Sequence, residues 1–333
     1  MRTALIKKRS VAEIACVIAV AACSASAQIP SSRMTMPAEK PLELISETDD
    51  SITVLDSRNK KVTLARNPKR ALPIYTSYLN VWYECGGTAV GRPSTESAEL
   101  CDQAYTLPEV GHVTNPNMEK VFALKPDLVF MRYGFAGHGR IVPMLENSGI
   151  PFLSLSYENY DDYLRVVDIF TRLTGRDDIR TDSLAAIKAR VDSVNSLVPG
   201  EKKPRVLILF GSAMGIVVKL PGSLVGSMVE DLGGENIAHD ARLTSDEMQI
   251  FSMERVVERN PEVVLVQMMG KPSMVKEKIK KDIASSPAWK TISAVRNDRV
   301  HYLPLDGFLY KPNKRYPECY LYLAKLLYPE DVK

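Results

Sequence analysis

The chain is poor in the residues and motifs that covalent chemistry relies on. Its 333 residues include five cysteines (Cys16, Cys23, Cys85, Cys101 and Cys319) and no Cys-x-x-Cys pair, which disfavours a zinc ribbon or a dithiol redox centre. Only four histidines occur, His112, His138, His239 and His301. None stands in His-Glu-x-x-His or another tight ligand spacing, so capture of a free ion such as zinc or manganese is poorly served. There is no Gly-x-x-x-x-Gly-Lys-Ser/Thr, no Gly-x-Gly-x-x-Gly and no Gly-x-Ser-x-Gly, so phosphate loops, dinucleotide turns and nucleophile elbows are missing. Gly211-Ser-Ala-Met-Gly215 is Gly-rich but lacks the Lys-Ser/Thr ending and reads as a turn. Excess charge is also lacking. The formal net charge is +3, and Arg2, Lys7, Lys8 and Arg9 less Glu13 account for all of it. A neutral body lacks the basic face that nucleic acid requires. The apolar run Val11–Ala22 is too short to span a bilayer.

That run is informative for another reason. A basic stretch, an apolar stretch and the small residues Cys23-Ser-Ala-Ser-Ala27 together read as an export signal over residues 1–27. Two processing routes fit. Ala25-Ser26-Ala27 suits cleavage before Gln28, releasing a soluble protein. Val20-Ala21-Ala22-Cys23 suits lipidation of Cys23 and attachment to a membrane. Either route leads to an extracytoplasmic location, periplasmic in a cell with an outer membrane. There, Cys85 and Cys101 form either a disulfide or two buried thiols.

Residues 28–49 are polar and contain proline, as a tether would. Ser51–Asp56 and Lys61–Ala65 alternate as a β-hairpin around a turn at residues 56–60. Short apolar strands are expected at 71–75, 88–91, 127–131 and 150–155, with helices between them. Such alternation implies a mostly parallel sheet. Apolar residues then recur at Leu164, Val167, Phe170 and Leu173, and, after Gly175, at Leu184, Ile187, Val191, Val194 and Val198. The second set predicts a helix over about 178–198, roughly 30 Å long, enough to brace two lobes. Further strands are expected at 205–210, 262–267 and 299–303, with helices at 223–232 and 318–327. The fold class is therefore α/β: an N-terminal lobe over 50–160, linking helices over 161–200 and a C-terminal lobe over 201–333.

An internal repeat supports two lobes. Asn117-Met-Glu-Lys-Val-Phe-Ala-Leu-Lys-Pro-Asp-Leu-Val aligns without a gap on Ser252-Met-Glu-Arg-Val-Val-Glu-Arg-Asn-Pro-Glu-Val-Val. Each lobe therefore holds the same helix-Pro-strand unit. Asn117 and Ser252 are N-cap residues, which puts Glu119 and Glu254 in the first helical turn. An acid there interacts well with the helix dipole. A matched pair, one per lobe, also suits a partner with two-fold symmetry.

These segments, with Pro108-Glu-Val-Gly-His112, Leu232-Gly-Gly-Glu-Asn-Ile237, Trp289, Ala294-Val-Arg-Asn-Asp-Arg-Val300 and Leu323-Ala-Lys-Leu-Leu-Tyr-Pro329, resemble the helical-hinge periplasmic binding proteins of iron-siderophore, haem and cobalamin ABC importers. The resemblance runs from about residue 50 onward. It implies a rigid pair of lobes, a ligand in the cleft between them and no covalent chemistry. The ligand it implies is a chelated metal such as a ferric siderophore, or a corrinoid, with no resident cofactor. It also implies a monomer whose Glu119 and Glu254 dock on a dimeric permease served by an ATPase. Haem-binding relatives use a tyrosine near the position of Arg92. Here that stretch is Pro93-Ser-Thr-Glu-Ser-Ala-Glu99 and the next tyrosine is Tyr105, which tells against haem.

Ligands of open α/β sheets bind beyond the carboxyl ends of strands. That rule points to the loops at 76–83, 92–105, 132–140, 211–215, 268–271 and 306–316. In or beside them lie Tyr75, Trp82, Tyr83, Arg92, Arg132, Tyr133, Tyr310, Lys311 and Arg315. The aromatic rings supply flat walls and the cations attract carboxylates or phosphates. His138 reads as an exposed loop residue rather than a metal ligand. Rival classes are an exported chelatase-like enzyme, whose His/Glu pair would sit in these loops, and an adhesin with an empty cleft.

Overall fold

The computed structural model describes residues 40–95, 100–240 and 252–332. The export segment with Cys23, the tether up to residue 39 and residues 96–99 of the loop after Arg92 lie outside the described residues. Among the described residues no helix is long and apolar enough to cross a membrane.

The chain enters the fold through strands β1 (Glu43–Glu47), β2 (Ser51–Leu55) and β3 (Lys61–Ala65), which form an antiparallel sheet with β2 in the middle. The hairpin is as expected. Its turn is held by buried Asp56, whose carboxylate accepts the N–H groups of Arg58 (3.0 Å) and Lys60 (3.2 Å). The tether is not as expected, because β1 falls inside it. Leu42 is buried in the core, and Glu47 accepts hydrogen bonds from Arg66 (2.8 Å) and Arg172 (2.7 Å), which anchors the strand.

The N-terminal lobe continues as β4 (Ala71–Pro73), α1 (Thr76–Glu84), β5 (Arg92–Ser94), β6 (Glu109–His112), β7 (Asn115–Pro116), α2 (Met118–Ala123), β8 (Leu128–Arg132), α3 (Ala136–Gly139), α4 (Val142–Asn147) and β9 (Phe152–Leu155). Strands β4, β8 and β9 pair in parallel in that order. The strand expected at 88–91 is reduced to a single parallel bridge between Ala89 and Ala71.

Two helices connect the lobes. Helix α5 (Tyr160–Thr174) begins in a capping box between Asn159 and Asp162 and ends at Gly175, whose φ of 70° is left-handed. The helix expected over 178–198 is present but not uniform. Ile179–Ser183 wind as a π-helix before α6 (Leu184–Asn195).

The C-terminal lobe comprises β10 (Arg205–Gly211), β11 (Ile216–Val218), α7 (Leu224–Asp231), β12 (Glu235–Asn236), α8 (Met253–Arg259), β13 (Val263–Met268), α9 (Pro272–Ile279), α10 (Ser293–Arg296), β14 (Val300–Tyr302) and α11 (Tyr316–Leu327). Strands β10, β13 and β14 are parallel neighbours, β12 pairs with β10 in parallel, and β11 folds back antiparallel on β10. Strand β13 is buried along its whole length, as a parallel strand covered on both faces must be.

The repeat is visible in detail. Helix α2 gives way to Lys125 in the left-handed region (φ 44°), then Pro126, Asp127 and β8. Helix α8 gives way to Asn260 (φ 42°), then Pro261, Glu262 and β13. In both lobes an arginine at the start of the neighbouring strand, Arg70 just before β4 and Arg205 first in β10, closes the helix end. Arg70 Nε donates to the carbonyls of Leu124 (3.1 Å) and Lys125 (3.0 Å), and Arg205 Nε to those of Arg259 (3.0 Å) and Asn260 (3.2 Å). The acid after each proline returns the contact. Asp127 accepts the Arg70 N–H (3.0 Å) and Glu262 the Arg205 N–H (3.0 Å). A cation at a helix C-terminus satisfies orphan carbonyls and complements the helix dipole.

One apolar core runs through both lobes. It joins Leu128, Phe130 and Leu153 of the first sheet to Val206, Ile208, Val263 and Leu265 of the second. The bridge is a group of tyrosines from α5, α11 and the loop after β9. Ring centroids lie 5.2 Å apart for Tyr163–Tyr316, 4.9 Å for Tyr160–Tyr316, 5.7 Å for Tyr160–Tyr320 and 5.9 Å for Tyr157–Tyr163. Because the core is shared, the described residues are expected to unfold as one cooperative unit. Tyr163→Ala is expected to cost roughly 3–5 kcal/mol and to shift that single transition without splitting it, as followed by circular dichroism in denaturant. Two separated transitions would contradict a shared core.

Candidate binding cleft

The carboxyl ends of the parallel strands from both lobes converge on one region. From the N-terminal lobe come Tyr75 after β4, Arg132 ending β8 and Glu158 after β9. From the C-terminal lobe comes Lys311 in the loop after β14, and Lys219, which follows the antiparallel strand β11 beside the middle of β10, approaches the same cluster. Arg132 Nη2 donates to Glu158 Oε1 at 2.5 Å, and Lys311 Nζ stands 3.5 Å from Glu158 Oε2 and donates to the Glu158 carbonyl at 3.3 Å. Each cation lies on an aromatic face. Arg132 Cζ is 5.6 Å from the Tyr75 ring centroid and 5.9 Å from that of Phe135. Lys311 Nζ is 5.0 Å from Tyr157, and Lys219 Nζ is 4.7 Å from Phe210. Such stacking stabilises a desolvated cation.

The charges respond to one another. Burial disfavours ionised Glu158, but Lys311 and Arg132 outweigh it and hold the carboxyl below its ordinary value. Burial acts likewise on Lys311 and is only partly offset by Glu158, so its ammonium falls to about 8. Burial also lowers Lys219. Arg132, Lys311 and Lys219 thus surround the Glu158 carboxylate, and basic side chains outnumber the carboxylate they share.

Next to this cluster is an open cavity of about 460 Å3. Thr76, Asn80, Tyr83 and Glu84 of α1 form one wall. Asp306, Tyr310, Lys311 and Arg315 of the loop before α11 form the other. Arg315 is paired with Asp306. The Glu84 carboxyl is pushed up to about 7 by burial, with Lys314 and Arg315 opposing the shift, and its Oε2 has no hydrogen-bond partner.

Of the residues expected to touch a ligand, the structure brings together Tyr75, Arg132 and Lys311 in the charged cluster, and Tyr83, Tyr310, Lys311 and Arg315 around the cavity. Trp82 is a correction. Residues 76–83 are not a loop but most of helix α1, and Trp82 faces the core on it, packed on Phe130 (4.8 Å) and Phe170 (5.2 Å). Its Nε1 donates to the Thr88 carbonyl at 2.8 Å. Gly87 is obligatory beneath the ring, since a Cβ there would stand 2.2 Å from Trp82 Cε2. Tyr133 is likewise buried rather than presented to the cleft. Arg92 is committed to Glu109 at 2.7 Å across the β5–β6 pair and does not line the cavity.

His138 is a further correction, being fully buried. A Cβ on Gly137 would lie 1.9 Å from the Thr114 carbonyl oxygen, so α3 sits close against the chain after β6 and encloses the imidazole. His138 Nδ1 accepts the main-chain N–H of Arg132 at 2.8 Å and so positions the end of β8. Among the described residues no group of three or more His, Cys, Asp or Glu side chains is placed to hold a metal ion. Cys85, Cys101 and Cys319 are free thiols rather than partners in a disulfide. Burial raises each of them, Cys319 to about 12, so none is a ready nucleophile.

Sequence reasoning missed Glu158, Lys219 and Glu84. The carboxyl-end rule would have found Glu158 had it been applied after β9. Lys219 follows an antiparallel edge strand that leaves only a weak pattern. Glu84 ends α1, one residue beyond the loop expected at 76–83. The matched pair was legible. Asn117 Oδ1 accepts the Lys120 N–H (3.1 Å) and Ser252 Oγ the Arg255 N–H (3.3 Å). Glu119 and Glu254 are both exposed.

Two lobes built on one repeat, a shared core and a charged cleft at the strand ends define a solute-binding architecture. Residues 74–306 match the family described as periplasmic binding protein, and the chain belongs to that family. It is 29% identical to the high-affinity heme uptake system protein IsdE of Staphylococcus aureus (strain bovine RF122 / ET3-1) over 227 residues, covering 64% of this chain and 72% of that protein. Its fold is similar to that of an ABC transporter substrate-binding protein from Listeria monocytogenes EGD-e (TM-score 0.68, 24% identity, 78% of this chain and 99% of that one). It is also similar to the periplasmic catecholate-siderophore binding protein VctP of Vibrio cholerae (TM-score 0.66, 16% identity, 84% and 100%).

Burial of His138 lowers its imidazole to about 4. Nitrogen-detected NMR is therefore expected to find His138 neutral, with its proton on Nε2, from pH 8 down to about pH 5. Titration near the ordinary histidine value would contradict its role as acceptor for Arg132.

Proposed function

We propose that the protein is the substrate-binding component of an ABC importer, capturing an anionic metal chelate of the ferric-siderophore type between its lobes. The observation that carries this reading is the convergence of Arg132, Lys219 and Lys311 from both lobes on an aromatic-lined cleft. A ferric catecholate offers what such a cleft recognises: negative charge for the cations and flat rings for Tyr75, Tyr83 and Tyr310. The protein acts as an exported monomer, either released after Ala27 or lipid-anchored at Cys23. It performs no covalent chemistry. The chelatase-like alternative needs a catalytic histidine in the cleft loops, and His138 is already committed to the Arg132 backbone.

Glu119 and Glu254 are the docking residues in this reading. Each sits exposed at the start of a repeated helix, and the pair suits arginine pockets on a dimeric permease. Charge reversal at both positions is expected to abolish uptake by cells while leaving ligand affinity unchanged. Normal uptake by the double variant would remove that role.

A haem-type ligand is the second reading, favoured by the kinship with IsdE and by exposed methionines in the loops after β10 and β13 and on α9. Met214 is 82% exposed, Met274 57% and Met269 42%. Its propionates would meet the same cations and its apolar ring the methionines.

The test is calorimetric titration of the mature protein with a ferric tris-catecholate, a ferric trihydroxamate, haem, cobalamin and free metal ions. Tight binding of the catecholate is expected. Binding of haem alone would select the second reading, and binding of cobalamin or free ions alone would overturn both. Affinity for the anionic chelate is expected to fall as pH rises from 6 to 9. Over that range Glu84 gains its negative charge near 7 and Lys311 loses its positive charge near 8, and both changes disfavour an anion. Affinity that rises over this range would contradict the assignment.

A further inference from the structure

We infer that Glu158 is a built-in counter-anion to the cleft cations, tuning how much negative charge a ligand must carry to be accepted. The inference rests on the cleft reading above and deepens it. Glu158 is the only carboxylate among the described residues paired with cations of both lobes at the seam: Arg132 at 2.5 Å from one side and Lys311 at 3.5 Å from the other. Lys219 interacts with it electrostatically but makes no hydrogen bond to it. A second acid, Asp162, also acts on Lys311 through space but makes no ion pair with the cleft cations. Its carboxylate accepts the main-chain N–H groups of Glu158 (2.9 Å) and Asn159 (3.4 Å) and pairs with Arg165 (3.4 Å).

The arrangement has a physical logic. Three cations brought together without an anion would repel one another across a poorly solvated seam, and buried charge is tolerated only when paired. A single carboxylate relieves that repulsion but leaves an excess of positive charge. A ligand with one negative group gains little, because it meets Glu158 as well as the cations. A ligand with several negative groups can engage Lys219 and share Arg132 and Lys311, and its gain exceeds its repulsion from Glu158. The carboxylate thus sets a threshold that favours multiply charged ligands. It also ties the two lobes together through Arg132 and Lys311.

The account predicts a gain of affinity on removing a cleft residue, the reverse of what loss of a ligand contact would give. The experiment compares the full mature chain with Glu158→Gln by calorimetry at pH 7, using citrate as a small trianion, a ferric tris-catecholate and a neutral ferric trihydroxamate. Thermal melting checks that the variant is folded. Citrate and the catecholate are expected to bind Glu158→Gln at least about tenfold more tightly, as removal of one nearby charge at an intermediate dielectric allows. Affinity for the neutral chelate should change less than about threefold. The gain should shrink with added salt.

If citrate binds more tightly to the variant while no chelate binds either form, the counter-anion role stands and the chelate reading falls. If the catecholate binds both forms equally, or the variant more weakly, the counter-anion role is overturned and the chelate reading stands. Binding of neither anion to either form overturns the inference. Should Glu158→Gln fail to fold, Lys219→Gln tests the same electrostatics from the cation side, since Glu158 keeps its hydrogen-bonded partners. Citrate is expected to bind it about tenfold more weakly than the parent, and equal binding would overturn the inference.

Discussion

The constraint on which the rest of this structure depends is the tyrosine-rich core shared by the two lobes. Tyr157, Tyr160, Tyr163, Tyr316 and Tyr320 are all largely buried, and they join a sheet on one side to a sheet on the other. Lobes connected only by a flexible linker would be free to rotate. Lobes that share a packed core are held at one separation, because interiors at crystal-like density resist small displacements. The cleft geometry follows. Arg132 and Lys311 belong to different lobes, yet both reach Glu158 because the core beneath fixes the distance between them. The Tyr157 hydroxyl donates to Asn313 Oδ1 at 3.2 Å at the same seam, so the packing that joins the lobes also positions the loop carrying Tyr310, Lys311 and Arg315.

Much of the fold was legible in the sequence because parallel strands buried on both faces leave unbroken apolar runs, as at Arg205–Phe210 and Glu262–Gln267. The gapless repeat did more. It located equivalent helices in the two lobes and the matched acids at their starts. It extended further than the sequence reading took it, since Arg70 and Arg205 occupy equivalent positions and close equivalent helix ends. The tether was misjudged because a short polar edge strand such as β1 carries little pattern of its own. It pairs with β2 and is held by ion pairs to residues far along the chain.

The site was less legible, for a physical reason. Proximity to a strand end places a residue near the cleft, but the side chain's direction decides whether it faces the ligand. Trp82 sits on the core side of α1, whereas Tyr83 on the next position lines the cavity. Arg92 and Arg132 look equivalent as arginines near strand ends. The first is taken by Glu109 within its own lobe and the second reaches across the seam. Charge partners distant in sequence, such as Glu158 and Lys311, cannot be matched without the fold. The same holds for burial-driven shifts such as those of Glu84 and His138.

The central claim is that a rigid pair of lobes holds a cationic cleft ready for an anionic chelate. It is tested most directly by a crystal structure of the mature protein grown with a ferric tris-catecholate, with the iron located by anomalous scattering. The account predicts one iron peak between the lobes, with catecholate oxygens in hydrogen-bonding reach of Arg132, Lys219 and Lys311, and with lobes that superpose on the empty form. An iron peak outside the cleft, or lobes rotated against each other about a broken tyrosine core, would contradict it.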